Sequence, residues 1–172
     1  MHMSAVAAAL VLSVGVSQSG FAADTATPSK GAVQEINIEH YTDSYLFELL
    51  DPYGTMGNRQ SQYDSKFLKS FKILISPMVA RDKRFMGRIT SGPESKGEIA
   101  VINRDKYVGY HTCQEHVCNE YNLVVLYRIG DGRMIGRLWK KCSVTMLGYP
   151  TPQEATVLQN IQKVIKSNNV CD

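Results

Sequence analysis

The chain has 172 residues, 44% of them hydrophobic, with 19 Lys and Arg against 16 Asp and Glu for a formal charge of +3. A bias this small gives no indication of a nucleic-acid partner. No Gly-rich phosphate loop, His-Glu-x-x-His helix or Gly-x-Ser-x-Gly elbow is present, so the sequence marks no enzyme and calls for no cofactor or metal.

Residues 1–22 read as a cleavable signal peptide. Ala5 to Val16 is an uncharged apolar run too short for a membrane span, and Gly20 and Ala22 fit a signal-peptidase site after Ala22, with Ala23 as the alternative. No later run is long enough to cross a bilayer. The chain is therefore expected to be exported, and the remaining length of about 150 residues suits one domain with its own core.

A loose polar leader is expected over residues 23–40, followed by a single domain over 41–172. Tyr41-Thr42-Asp43-Ser44 offers capping side chains for a short helix from Tyr45 to Leu50, which Asp51-Pro52 stops. Ser61 and Asp64 form a capping-box pattern before a second helix. There Tyr63, Phe67, Leu68, Phe71, Leu74 and Ile75 recur at helical spacing until Pro77, with Lys66, Lys69 and Lys72 on a solvated face. Phe85 to Thr90 suggests a short strand, broken by Ser91 to Gly97. Apolar runs at 99–102, 107–110, 123–129 and 134–139, with a possible continuation through 144–146, are separated by Asn103-Arg104-Asp105-Lys106, by a cysteine loop and by Gly130-Asp131-Gly132. Thr151, Pro152 and Glu154 open a last helix with Val157, Leu158, Ile161, Val164 and Ile165 on one face. The prediction is an α+β fold: a central antiparallel meander of four or five strands, two helices before it and one C-terminal helix.

Four cysteines allow three pairings. The local choice joins Cys113 to Cys118 and leaves Cys142 with Cys171. A disulfide between Cys113 and Cys118 closes a six-residue loop and leaves Gln114, Glu115, His116 and Val117 few conformations, which suits binding without a large ordering cost. His116 is the residue there that asks for a role. The alternatives are a zinc site from His111, Cys113, His116 and Cys118, or a redox-active Cys113/Cys118 pair. Trp139 is expected in the core or on a sheet face, and Arg128, Arg133, Arg137, Lys140 and Lys141 on solvated sheet edges. Tyr110 and Tyr121 flank the loop, either packed across neighbouring strands or lining a contact surface.

The segment from Val101 through His116-Val117-Cys118 to Gly136-Arg137-Leu138 resembles the inhibitor of vertebrate lysozyme family, Ivy, of Gram-negative bacteria. That family carries a Cys-Lys-Pro-His-Asp-Cys loop. Both cysteines and the histidine match in Cys113-Gln114-Glu115-His116-Val117-Cys118, while Gln114, Glu115 and Val117 stand where the family has Lys, Pro and Asp. Tyr45 to Leu50 also looks like the family's first helix. The resemblance implies a periplasmic protein, often a homodimer, whose disulfide-closed loop of Gln114, Glu115, His116 and Val117 enters the active-site cleft of c-type lysozyme. The bacterium's own lytic transglycosylases are an alternative target.

Overall fold

Leu123-Val124-Val125-Leu126-Tyr127 has no polar alternation, the pattern of a strand covered on both faces. The computed structural model describes residues 37–53 and 62–165, all within the compact unit Glu35–Asp172. That run lies in β3 (Tyr121–Arg128), where every residue from Tyr121 to Tyr127 is buried. Flanking it are β1 (Glu98–Ile102), β2 (Asp105–Cys113), β4 (Met134–Lys140) and β5 (Ser143–Leu147). The five strands form one antiparallel sheet in the order β1-β2-β3-β4-β5, a meander with β3 at its centre.

Helices cover both faces. α1 (Ile38–Thr42), α2 (Leu46–Leu50), α3 (Ser65–Arg81) and α4 (Phe85–Ile89) precede the sheet, and α5 (Pro152–Ile165) follows it. Leu46, Leu49, Phe67, Phe71, Ile75, Phe85 and Ile89 from the first group pack on Val108, Tyr110, Leu123, Val125 and Tyr127. On the opposite face Leu158, with Val157 and Ile161 beside it, packs on Tyr107, Val124, Leu126 and Ile135. The fold is α+β, as the sequence predicts.

Several local expectations change. Residues 38–42, assigned to the loose leader or to capping, are helical: Asn37 caps α1 by accepting from His40 N, and Tyr41 is a core residue whose hydroxyl donates to Asp64 at 2.8 Å. Glu48, not the preceding tetrad, caps α2, accepting from Tyr45 N at 2.9 Å. Asp64 itself caps α3, accepting from Lys66 N and Phe67 N; Ser61 lies outside the described residues. Tyr63 precedes α3 and is 38% exposed instead of lining its apolar stripe.

Pro77 does not end that helix, which runs on to Arg81. Proline removes the N–H that would bond the carbonyl four residues back. Here that carbonyl, on Ile73, accepts the Ser76 hydroxyl at 2.8 Å. The segment predicted as a strand at 85–90 is α4, because Phe85 and Ile89, four residues apart, face the same core. The signal segment lies outside the described residues, and no helix among those described is long and apolar enough to cross a membrane.

The C-terminal capping box forms as read: Thr151 N donates to Glu154 at 2.7 Å and Glu154 N to the Thr151 hydroxyl at 3.3 Å. Glu154 does more than cap. It is 3% exposed and also accepts from the Tyr107 hydroxyl at 2.6 Å and from the Arg133 guanidinium. Burial pushes its pKa up, but the Arg133, Tyr107 and Thr151 donors outweigh this and hold it at about 2. Arg133 is thus an ion-paired anchor of α5 and not a solvated edge residue. Arg128 is likewise paired, with Asp105 and Asp131.

Replacing Arg133 with Met leaves a buried carboxylate without its counter-charge, and urea unfolding at pH 7 is expected to show a loss of roughly 2–3 kcal/mol. A loss below about 0.5 kcal/mol would contradict this assignment.

Candidate functional site

The loop between β2 and β3 is built outward from the sheet. Cys113 ends β2, and its disulfide to Cys118 closes the loop with a Cα–Cα distance of 4.9 Å. Gln114 N donates to Tyr121 O at 3.0 Å, continuing the strand pairing one step past the cysteine. Val117 N then donates to Gln114 O at 3.2 Å, which makes Glu115 and His116 the two corners of a tight turn. His116 takes φ +66°, a left-handed conformation that costs a non-glycine residue about 1 kcal/mol.

The four loop residues separate into apex and base. The His116 side chain is 87% exposed and that of Glu115 60%, with the imidazole Nε2 3.5 Å from a Glu115 carboxylate oxygen. Gln114 is half-buried. Val117, also half-buried, packs against the core beneath the loop, and its carbonyl accepts from both Glu120 N and Tyr121 N. An apolar residue fits that inward position. His116 and Glu115 are therefore what the loop presents.

A strap formed by Ser91 to Lys96 holds the loop from outside. Gly92 N donates to Cys113 O at 2.9 Å, Glu115 N to the Ser91 hydroxyl at 3.1 Å, and Ser95 N to His111 O at 2.9 Å. Glu94 pairs with Thr112 as an isolated bridge and accepts from Phe47 N in α2 at 2.8 Å; burial pushes its pKa up to about 7. From the α5 side, Asn122 donates to Cys118 O at 2.8 Å and accepts from Gln162. In the sequence, 91–97 is marked only as a break. Its role depends on a contact about twenty residues away, to which no local pattern points.

Other flagged residues fall into place by burial. Tyr110 is in the core, its hydroxyl donating to Tyr41 O at 2.7 Å, while Tyr121 lies at the loop's base. Trp139 is buried on the sheet and Arg137 is half-buried on the α5 face. His111 lies on that same face between the strands, paired with Val124, and burial lowers its pKa to about 4. It does not converge with His116, and Cys113 and Cys118 are bonded to each other, so the four proposed zinc ligands do not form a set. Cys142, in the turn between β4 and β5, is also disulfide-bonded; its expected partner, Cys171, lies outside the described residues.

A cleft of about 590 Å³ near α1 and α2 is lined by Glu39, Asp43, Glu48 and Lys96 among others, and contains none of the loop residues. A groove of about 390 Å³ reaches the loop through Tyr121. No family model matches the chain, and no curated protein is significantly similar to it.

Two outcomes are expected. A β-carbon on Gly92 would meet Cys113 O and Glu115 N at 2.8 Å each, both backbone atoms, so Gly92→Ala must displace the loop. Faster amide exchange at Gln114 and Val117 than in wild type checks this; unchanged exchange would refute the clamp. Because the folded-state pKa of His111 is depressed, its contribution to stability is present above pH 6.5 and lost as pH falls through 4. Glu94, with a raised pKa, acts in the opposite sense, its contribution being lost as pH rises through about 7. The informative quantity is a difference: wild type should lose roughly 2 kcal/mol more than His111→Leu between pH 7 and pH 4, and parallel curves would remove His111 from the account.

Proposed function

We propose that this protein is an exported inhibitor of a peptidoglycan-cleaving glycosidase, of which c-type lysozyme is the type case, and that it acts by inserting the His116 loop into the enzyme's cleft. The observation that carries the proposal is the placement of His116: a fully presented imidazole at the corner of a disulfide-closed turn, clamped on both sides to a rigid sheet. A disulfide in that turn fits an oxidising compartment such as the periplasm.

The chemistry follows from the enzyme side. A retaining glycosidase of this type, lysozyme being the established example, sets a protonated acid and an ionised carboxylate about 5 Å apart across the scissile bond. A neutral imidazole has one N–H donor and one bare nitrogen acceptor. It donates to the ionised carboxylate and accepts from the protonated acid, matching both partners without changing either's charge. Bonds to charged groups contribute about 1.5–3 kcal/mol, and the left-handed turn and disulfide have already removed the freedom that binding would otherwise cost. The loop performs no reaction; it occupies the place of the sugar. Glu115 belongs at the rim, since inside the cleft it would meet two carboxyl groups.

His116→Gly retains the turn, because glycine accepts φ +66° without strain, and deletes the imidazole. In a cell-wall lysis assay with c-type lysozyme and the oxidised protein, the variant's inhibition constant should rise at least about tenfold, equivalent to 1.4 kcal/mol, with an unchanged melting temperature. Equal inhibition by both proteins would rule out the histidine's role, and no inhibition by wild type would rule out lysozyme as the target.

A further inference from the structure

The groove beside the loop carries an unbalanced positive charge. It is lined by Met78, Phe85, Tyr121 and Leu138, with Arg81, Lys140 and Lys141 around them. Asp82 also lines it, but is ion-paired with Arg88. Arg81, Lys140 and Lys141 are exposed and have no ion-pair partner among the described residues. The Lys140 ammonium lies 5.6 Å from the centre of the Tyr121 ring and the Arg88 guanidinium 6.0 Å. Three cations thus surround an apolar floor, and Asp82 is the one carboxylate among the described lining residues.

This groove is continuous with the inhibitory loop. Tyr121 forms part of its floor and also accepts from Gln114 N, and Lys141 N donates to Glu120 O at 2.8 Å. Lys141 and Cys142 form a two-residue turn with φ +45° and +67°, which holds Lys140 and Lys141 at the tip of the β4–β5 hairpin. The β2–β3 loop and the β4–β5 turn lie at the same end of the sheet, so the groove's lysines stand at the end of the molecule that presents His116.

We infer that the groove receives an acidic rim of the inhibited enzyme. The glycosidase that this loop blocks then carries carboxylates beside its cleft, and the basic c-type lysozymes are the poorer targets. The inference rests on the loop-insertion reading above and adds the charge of the partner. Complementary rim charges act chiefly on the rate of encounter and its salt dependence, whereas a buried contact acts on dissociation. The groove and His116 are therefore separable by kinetics.

The test measures association and dissociation of the oxidised protein, at ionic strengths from about 20 to 300 mM, with two enzymes: a basic c-type lysozyme and a lytic transglycosylase of acidic surface. Wild type, His116→Gly and the triple variant Arg81→Gln/Lys140→Gln/Lys141→Asn are compared; asparagine tolerates the left-handed backbone at position 141. The expected result is faster association with the acidic enzyme, falling about tenfold in the triple variant at low salt with most of its salt dependence gone, while His116→Gly mainly speeds dissociation. Equal association of wild type and triple variant, or faster association with the basic enzyme, overturns the groove assignment and leaves the loop reading intact. Binding of neither enzyme by wild type overturns both. A third arm titrates soluble anionic peptidoglycan fragments without enzyme: binding that the triple variant loses would give the groove to the glycan and overturn its assignment to an enzyme rim.

Discussion

From Tyr121 to Tyr127, strand β3 meets almost no water on either face, and the rest of the molecule follows from that. Seven consecutive buried residues need a helical layer on each side, which α1 to α4 supply on one and α5 on the other. They also need a strand at each edge, so β2 and β4 are fixed in register along nearly the whole length of β3. The turn from β2 into β3 is consequently anchored at both ends in the most rigid part of the fold. Each buried side chain of this kind is worth about 1.5–3 kcal/mol, so the loop's footing is as stable as the domain itself.

The disulfide adds shape to that footing. Closing so short a loop stabilises the chain by only about 2 kcal/mol in the chain-entropy model. Its consequence is directional: with Val117 turned inward and Gln114 held by Tyr121, the chain has no alternative but to turn out at Glu115 and His116. The strap from Ser91 to Lys96 and the Asn122–Gln162 contact prevent the turn from leaning to either side. Presentation of one imidazole is thus a property of the whole sheet end and not of six residues.

Much of this was legible from the sequence where the signal was local. The unbroken apolar run of β3, the turns at 103–104 and 130–132, the Thr151/Glu154 box and the Cys113/Cys118 pair each rest on neighbours a few residues apart. What was misread depended on distant partners or on a compensating atom. Pro77 is accommodated because Ser76 supplies a donor to Ile73 O. Phe85 and Ile89 fit a short strand or a single helical turn equally well by pattern, and only the core beneath them decides. The strap that clamps the loop, and the convergence of Arg81 from α3 with Lys140 at the end of β4 and Lys141 in the turn after it, involve residues tens of positions apart. No spacing rule brings those together.

The central claim is that the loop occupies the sugar's place in a glycosidase cleft, and competition for that cleft tests it most directly. The measurement is the apparent dissociation constant of the protein–enzyme complex at increasing concentrations of a non-hydrolysed chito-oligosaccharide. If the account is right, the constant rises in proportion to cleft occupancy and the complex does not form at saturation. A dissociation constant unaffected by the saccharide would contradict the account, whatever the potency of inhibition, because it would place the contact outside the cleft.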